Sequence, residues 1–237
     1  MWFKFGEVHS DDLNIKVLRI RKPFLPDFQD QREYVPGKDG SIVYPQPFRE
    51  LTIEIDCLIL YSNRHKKVAE DRNLAKLYSY SEQKLILSDE SDVFYIGKLG
   101  GIFQPDRHKT LSSFTIEFIC QPFKYGPNRV VEISSLPGTF MNAGTYYSQP
   151  IITIRLSSST NSFTLKVNGN ELKYTSNISS SDIIVIDCQN YEFRINDELK
   201  VLEVSGFFSS IAPGENTIEI TGATASNVKI EYQELYL

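Results

Sequence analysis

PGENTIEI over residues 213–220 and VKIEY over residues 228–232 are the stretches near the end of this 237-residue chain that decide its fold. Both alternate apolar and polar residues, which is the pattern of half-buried β-strands. A Pro-Gly-Glu-Asn turn follows the aromatic segment Gly206-Phe207-Phe208, so we expect the chain to end on a hairpin-like unit of a β-sandwich. No chemically reactive group lies nearby, and the search for function turns to surfaces rather than to a pocket.

The same alternation recurs along the whole chain. Residues 51–60 and 111–120 each place every second apolar side chain on one face. Asn168-Gly169 predicts a tight hairpin turn in the second half. Short strands are expected there at residues 129–134, 150–156, 163–167, 171–174, 183–187, 191–195, 199–204, 216–220 and 227–233. This succession is typical of a jelly-roll or galectin-like sandwich.

Composition places the chain among folded proteins. Apolar residues make up 41% and aromatic residues 12%, enough to bury a core in one large domain or two ordinary ones. The longest apolar runs are too short to span a bilayer, and the first residues lack the pattern of a cleaved signal. Three widely spaced cysteines, an odd number, lack the close pairs of metal or redox motifs. We therefore expect a soluble, non-exported protein with free, buried thiols in a reducing compartment.

Charge divides the chain near residue 130. The first part holds 19 Lys and Arg against 18 Asp and Glu, or +1, whereas the remainder holds 6 against 12, or −6. Neither part has the concentrated basic face of a nucleic-acid binder. The strand pattern breaks over Gln121–Pro127, and we place two domains at residues 1–128 and 129–237.

A long interruption and one helix are expected in the first domain. Five prolines and two glycines between residues 23 and 48 argue against regular structure, and a loop of that length is usually a binding arm or a mobile lid. Residues 64–78 lack Gly and Pro and follow the competent N-caps Ser62 and Asn63. They form the lone helix candidate, with Val68, Leu74, Ala75 and Tyr78 near one side.

Catalytic constellations are weak. His9, His65 and His108 all precede the junction, and no metalloprotease, nucleotide-binding or nucleophile motif occurs. Carboxylate pairs for glycoside hydrolysis exist, namely Asp187 with Glu192 and Asp89 with Asp92, but turn carboxylates are more often solvated or capping. We therefore expect no enzyme activity, no catalytic residue, no metal and no cofactor.

A carbohydrate-binding module acting in host-surface adsorption is the alternative. Sugar sites stack a pyranose on an aromatic face and hold its hydroxyls with fixed polar groups. Five aromatic residues of the second half are candidate platforms: Tyr146, Tyr147, Tyr174, Tyr191 and Phe207. Aromatic residues of a sandwich lie more often in the core or at its edges, which favours the structural interpretation.

The order of several short motifs resembles that of the distal tail proteins of long-tailed, siphovirus-type bacteriophages or prophages. The likeness covers essentially the whole chain, and no single motif is diagnostic. It runs through Phe3-Lys4-Phe5-Gly6, Val35-Pro36-Gly37-Lys38-Asp39-Gly40, Arg49, Cys120-Gln121-Pro122-Phe123-Lys124-Tyr125, Asn142-Ala143-Gly144-Thr145, Gln149-Pro150-Ile151-Ile152, Val167-Asn168-Gly169, Ile186-Asp187-Cys188, Phe207-Phe208 and Pro213-Gly214-Glu215-Asn216-Thr217-Ile218.

This resemblance implies a two-part virion protein. Members look like an N-terminal β-sandwich or barrel-like domain, with a long arm and a helix, that assembles into a hexameric ring, plus an outward galectin-like domain. The ring joins the tail tube to the tip or baseplate. Its partners are then further copies of itself, the tail tube protein, a tail-associated hub or fibre protein and, in some relatives, receptor-binding or baseplate proteins. This role implies that the protein is assembled in the cytoplasm of the bacterial host and becomes part of the virion tail. It also implies that the protein has no membrane partner.

Residues of the long interruption are our candidate ring interface. Laid against a neighbouring copy, the segment could pair backbone groups and bury six apolar side chains: Phe24, Leu25, Phe28, Tyr34, Val35 and Phe48. Deleting residues 26–40 is then expected to abolish the ring while leaving each sandwich folded. Six copies at −5 each give −30, which suits a passage that releases DNA without specific binding.

Overall fold

The computed structural model describes residues 1–61, 72–102 and 110–237 and the backbone of 106–107. Regular structure in these residues is nearly all β, so the expected mainly-β class is confirmed. The chain forms two compact units, Met1–Tyr125 together with Leu237, and Gly126–Tyr236. The chain passes from one unit to the other inside a strand. The division into folding domains at residue 128 stays a prediction.

In the described residues of the first unit, ten strands and two short 3-10 helices are present. The helices span Ser10–Leu13 and Leu74–Leu77. The strands are β1 (Phe3–Phe5), β2 (Val8–His9), β3 (Ile15–Arg21), β4 (Gln31–Glu33), β5 (Ile42–Tyr44), β6 (Leu51–Leu60), β7 (Gln83–Leu87), β8 (Glu90–Ile102), β9 (Asp106–Arg107) and β10 (Leu111–Cys120).

The sheet of the first unit curls around its own core. Antiparallel neighbours run in the order β2, β1, β7, β8, β10, β6 and β3, with β9 paired to β10. Two strands separate β1 from β10, yet the rings of Phe3 and Phe5 lie 5.8 and 4.8 Å from the ring of Phe118. A flat sheet would keep these rings apart, so the inner face closes on itself as in a barrel.

Alternation in β6 and β10 produces that inner face. Leu51 faces Cys120 and Cys57 faces Phe114 across a register that holds over ten residue pairs. Every second residue of each strand is buried, as the sequence pattern predicts. Polar residues such as Thr115 take the outer face, where its hydroxyl donates to Asp56 at 2.8 Å. The core therefore lies on one side of the sheet.

The long interruption contains regular structure, which corrects the expectation of a structureless loop. Strands β4 and β5 pair antiparallel, with Gln31 opposite Tyr44 and Glu33 opposite Ile42. Prolines at 36, 45 and 47 stand outside both strands, so they do not interrupt this short ladder. We call residues 23–48 the arm and residues 31–44 the arm hairpin.

The helix predicted over residues 64–78 falls largely outside the described residues. Its described end is the 3-10 helix Leu74–Leu77, in which Leu77 is fully buried. Ala75 and Tyr78 are exposed, against the predicted apolar side. A 3-10 helix turns every three residues, so Leu74 and Leu77 share a face and the other two do not.

Eleven strands build the second unit. They are β11 (Lys124–Ile133, which begins in the first unit), β12 (Gly138–Asn142), β13 (Ile151–Leu156), β14 (Phe163–Val167), β15 (Asn170–Tyr174), β16 (Ile183–Asp187), β17 (Glu192–Ile195), β18 (Glu198–Leu199), β19 (Val204–Gly206), β20 (Gly214–Thr221) and β21 (Ala225–Tyr236).

Two sheets pack face to face in the second unit. One runs β18, β17, β16, β13, β21, β11, and the other runs β12, β20, β14, β15, β19. The ring of Tyr174 stacks on that of Phe193 at 5.0 Å, and Phe163 lies 6.2 Å from Phe193, which joins the sheets across the core. This is a β-sandwich with its apolar residues between the layers. Its likeness to galectins stays a prediction.

The chain does not end on a hairpin. Strand β20 pairs with β12 and β14, whereas β21 pairs with β13 in the facing sheet. Both strands send alternate residues such as Ile218 and Ile230 into one core. Alternation fixes which face is buried but not which strand is the partner. Asn216 lies inside β20 and is fully buried, and its side chain bonds the backbone of Ala212 and Gly214.

Other strand predictions divide into confirmed and wrong ones. The Asn168-Gly169 turn is confirmed, with φ of 51° and 84° at its two residues. The sequence pattern missed β12. The strand expected at 199–204 is wrong, because β18 and β19 lie in different sheets and residues 200–203 cross between them. The break predicted over Gln121–Pro127 is too long, since β11 begins at Lys124.

All three cysteines are buried and free, as expected. Burial, with a smaller contribution from neighbouring carboxylates, raises the pKa of the Cys57 and Cys120 thiols to about 12. Burial also raises the pKa of Cys188 to about 12. Thiols so protonated behave as small apolar side chains at neutral pH. Among the residues described, no helix has both the length and the apolar character needed to cross a bilayer.

Candidate assembly surface

The arm leaves the first unit from a fixed base. Lys22, the residue before the arm, places its Nζ 2.9 Å from Asp89 Oδ2 and 2.5 Å from Glu90 Oε2. Lys124 Nζ lies 3.1 Å from Glu90 Oε1. These side chains are about one-fifth to two-fifths exposed, so the charges are only partly screened. The base is thus tied to the turn between β7 and β8.

Both ends of the arm are joined to each other. The Arg49 backbone N–H donates to the Asp27 carbonyl oxygen at 2.8 Å, and Gln46 N–H donates weakly to Asp30 Oδ1 at 3.4 Å. The Phe48 ring packs edge-on against Phe28 at 5.9 Å. It also packs edge-on against Phe123, in the first unit, at 6.0 Å. We call Phe28, Phe48 and Phe123 the aromatic stem.

The arm hairpin stands on this stem. Tyr44 Oη donates to Glu33 Oε2 at 3.1 Å across the two strands. At its far end the Lys38 N–H donates to the Val35 carbonyl oxygen at 3.1 Å, and the positive φ of 84° at Gly37 makes that turn. Three paired residues on each side form a small ladder. Within the described residues neither outer edge of this ladder is paired, and both edges offer backbone groups to another strand.

Apolar side chains of the arm are exposed to an unusual degree. Phe24 is 98% exposed and Tyr34 is 74% exposed, which leaves both rings in solvent in a single chain. Leu25, Phe28 and Val35 are also exposed, whereas Phe48 is half-buried in the stem. Exposed apolar clusters of this kind mark interaction surfaces. Of the six residues predicted for a ring interface, five are therefore exposed to solvent on the arm. The sixth, Phe48, is half-buried because its ring packs in the aromatic stem.

Two further residues of the arm are exposed although the sequence pattern did not indicate them. Val43 and Tyr44 are 42% and 43% exposed on β5. Their β-branched and aromatic character, together with Ile42, is a strand signal that the neighbouring prolines obscured. A groove of about 540 Å³ also lies beside the arm base, and Pro23, Leu25 and Phe28 line it. The candidate surface therefore comprises the exposed arm residues and this groove.

Glu90 makes the arm base sensitive to pH. Burial acts to raise the pKa of its carboxyl, but hydrogen bonds and charges from Lys22 and Lys124 outweigh it, so that pKa lies below its ordinary value of 4.5. A lowered folded-state pKa gives stability that is present above the ordinary value and lost as pH falls through the folded value.

Glu90→Gln is therefore expected to reduce the free energy of unfolding at pH 7 by about 1 kcal/mol or less, and to have no effect at pH 2. Urea unfolding at the two pH values measures the difference. Asp92→Asn, which changes an exposed carboxylate two residues along, serves as the control and should be neutral at both. Equal destabilisation by Glu90→Gln at pH 7 and pH 2 would contradict this assignment.

Of the two carboxylate pairs considered for catalysis, the pair Asp187 and Glu192 is held by structural contacts. Asp187 Oδ1 accepts from the backbone N–H groups of Gln189 and Asn190 at 2.9 and 3.0 Å. Burial acts to raise the pKa of Asp187, but these hydrogen bonds outweigh it and the pKa is lowered. Its cross-strand neighbour Glu192 pairs with Arg194 at 2.9 Å. Asp187 thus caps a turn, and Glu192 is held in an ion pair.

Histidines and metal ligands add no reactive cluster to the described part of the chain. His9 Nδ1 accepts from the Asp11 N–H at 3.2 Å, and its ring lies 5.1 Å from that of Trp2. His65 and His108 lie outside the described residues. In the described ranges, no three His, Cys, Asp or Glu side chains come together in a way that could hold a metal ion.

The aromatic platforms considered for sugar binding separate into two groups. Tyr174 is buried in the sandwich core, where it cannot reach a ligand. Tyr147, Tyr191 and Phe207 are 54%, 65% and 73% exposed, and Tyr146 is intermediate. Tyr191 has a φ of 57° and packs its ring edge-on against Phe208 at 5.7 Å.

Two family models match the chain, one in each unit. The phage tail protein RIFT-related domain matches residues 12–120. The C-terminal domain of the siphovirus-type tail component matches residues 143–236. The chain is therefore a tail component of siphovirus-type bacteriophages, a class of structural proteins.

Individual relatives narrow this class. The distal tail protein of Bacillus phage SPP1 is 22% identical over 212 residues, covering 85% of this chain and 83% of the relative. The crystal structure of the SPP1 Dit protein aligns with a TM-score of 0.82 at 16% identity, over 100% of this chain and 99% of that one. That protein is described as a paradigm of hub adsorption apparatus in phages that infect Gram-positive bacteria. A chain of the phage P2 baseplate in its activated conformation aligns with a TM-score of 0.45 at 10% identity, over 98% of this chain and 97% of that one. The chain belongs to the distal tail protein family, which confirms the resemblance seen in its motifs.

Proposed function

We propose that this protein forms a hexameric ring that serves as the hub between the phage tail tube and the tail tip or baseplate. The first domain, residues 1–128, builds the ring, and the second domain, residues 129–237, projects from it. The single observation that carries this proposal is the arm, which presents exposed apolar side chains on a fixed stem.

A closed ring gives these side chains a partner. In a head-to-tail arrangement, every copy offers its arm to one neighbour and receives the arm of the other, so no arm remains in solvent. A contact of this kind persists when it buries on the order of 1,000 Å² or more in total. The two unpaired edges of the arm hairpin add backbone hydrogen bonds to the apolar burial.

Other tail proteins are the remaining partners in this proposal. The hub contacts the tail tube protein on one side and a tail-associated hub or fibre protein on the other, with receptor-binding or baseplate proteins around it. It assembles in the host cytoplasm and has no catalytic role. Six copies at −5 each carry −30, so the assembly has no overall attraction for DNA phosphates, which suits a passage that lets DNA move through without specific binding.

Phe24→Asp is expected to weaken self-association without unfolding the chain. The ring of Phe24 is 98% exposed, so a carboxylate there loses no intramolecular packing but would be buried in the contact with a neighbour. Aromatic residues that anchor an interface contribute about 2 kcal/mol or more, which corresponds to a roughly 30-fold higher dissociation constant. Sedimentation equilibrium measures this constant.

Leu202→Asp is the matched control. Leu202 is 96% exposed in the second unit, so this change introduces the same charge at an equally exposed apolar site outside the arm. Its dissociation constant should equal that of the unaltered protein. If Phe24→Asp and Leu202→Asp give the same mass distribution at every concentration, the arm is not the ring contact.

A further inference from the structure

A pocket lies on the surface of the second unit, and no arm residue is among those that line it. Its cavity volume is about 380 Å³, within the roughly 300 to 1,000 Å³ of small-molecule sites. Strands β11, β13 and β21, the segment before β13 and the turn after β16 supply its lining. The lining residues are Asn128, Arg129, Val130, Gln149, Ile151, Gln189, Glu231, Tyr232 and Gln233.

Three primary amides in this lining have no partner of their own. Within the described part of the chain, the side chains of Asn128, Gln149 and Gln189 make no hydrogen bond. The fourth amide, Gln233, donates to the Gly126 carbonyl oxygen and helps to hold β21 beside β11. Each free amide offers two donors and one acceptor oxygen. This combination matches vicinal hydroxyl groups, which donate and accept at once.

Charged groups of the pocket are already neutralised. Glu231 Oε1 lies 2.9 Å from Lys229 Nζ, and Arg129 Nε lies 2.7 Å from the buried Glu234. The second unit as a whole, residues 126–236, holds 7 Lys and Arg against 12 Asp and Glu, a balance of −5. A negatively charged polymer is therefore repelled, and the pocket has no unpaired cation to bind a phosphate or carboxylate.

An exposed aromatic residue stands two positions before one of the free amides. Tyr147, Gln149 and Ile151 are exposed, and buried Ser148 and Pro150 alternate with them. Tyr147 is 54% exposed. An exposed ring beside amide groups is the pairing that holds a sugar, whose apolar face stacks on the ring while its hydroxyls bond to the amides.

We propose that this pocket binds a neutral glycan, with Asn128, Gln149 and Gln189 bonding to its hydroxyl groups and Tyr147 contacting the face of one sugar ring. The site is independent of the hub proposal, because no arm residue takes part. It gives a tail hub a weak contact with a surface polysaccharide. Single sites of this size bind one or two sugar units, and repetition around an assembly multiplies weak affinity.

An array of neutral and anionic oligosaccharides, probed with the 237-residue protein, tests this proposal. Neutral hexose or N-acetylhexosamine chains should be retained, and poly(glycerol phosphate) should not. Calorimetric titration of a retained oligosaccharide is then repeated with the double variant Gln149→Ala/Gln189→Ala. Losing hydrogen bonds from both amides should raise the dissociation constant at least about tenfold. Tyr147→Ala should weaken binding as well.

Asn161→Ala is the control, because Asn161 is an exposed amide of the same unit outside the pocket lining. It should leave the dissociation constant unchanged. The proposal is overturned if the array retains no neutral glycan, if only anionic polymers bind, or if the double variant binds as tightly as the control. If the protein still forms a hexameric ring in any of these cases, the glycan proposal fails but the hub proposal does not.

Discussion

A chain in which two glycines replace residues 32–43 of the arm hairpin, and so join Gln31 to Tyr44, is expected to stay folded and to lose self-association. These two residues are directly paired, so their Cα atoms are close enough for a short linker. The replacement removes exposed Tyr34, Val35 and Val43 but leaves the aromatic stem in place. Sedimentation velocity should show single chains where the unaltered protein forms rings.

This replacement separates a lost interface from a folding defect better than a deletion of residues 26–40 does. The longer deletion also removes Asp27 and Phe28, which close the arm base, and a folding defect could then imitate a lost interface. Replacing Val201 and Leu202 by two glycines is the control, since it removes exposed apolar surface from the second unit. Full-size rings from the chain without the hairpin would refute the role of the arm.

Phe118→Ala is expected to lower the free energy of unfolding of the first unit by about 3–5 kcal/mol. Phe118 is fully buried, and its ring contacts those of Phe3 and Phe5 at the place where the sheet closes on itself. Removing the ring leaves a cavity between strands that cannot easily collapse. The loss is a large share of the stability of a typical domain.

The fluorescence of Trp2 measures this change, because Trp2 is the sole tryptophan and lies in the first unit. Phe193→Ala, an equivalent truncation in the second unit, is the control. We propose that the two units unfold independently, so Phe193→Ala should leave the urea midpoint reported by Trp2 unchanged. A shift of that midpoint as large as the one caused by Phe118→Ala would contradict separate folding domains.

Much of the fold followed from period-two alternation. Residues 51–60 and 163–167 form strands as predicted, because one face of each is buried and the other is polar. The Asn168-Gly169 turn was also predictable, because few residue pairs adopt two successive positive φ angles. Local signals of this kind do not depend on the rest of the chain.

Pairing between distant strands could not be predicted in the same way. Strands β20 and β21 are neighbours in sequence but lie in opposite sheets, and both bury alternate residues in the same core. Alternation is identical for either arrangement. The arm hairpin was hidden for another reason, since its three-residue strands are exposed on both faces and show no buried side.

The candidate surface was only partly predictable. Exposed apolar residues such as Phe24 and Tyr34 stood out because proline-rich segments rarely bury their own side chains. The stem required the structure, because Phe48 and Phe123 are 75 positions apart and meet only in the folded unit. The pocket of free amides likewise combines residues from β11, β13 and β21, which no local pattern connects.

Static light scattering of the 237-residue protein, coupled to size exclusion, decides whether the chain assembles into a ring. We expect a species with six times the 27.1 kDa mass of one chain, in proportions that rise with protein concentration. A single species of 27.1 kDa at every concentration, up to those at which the protein is purified, would contradict self-assembly through the arm.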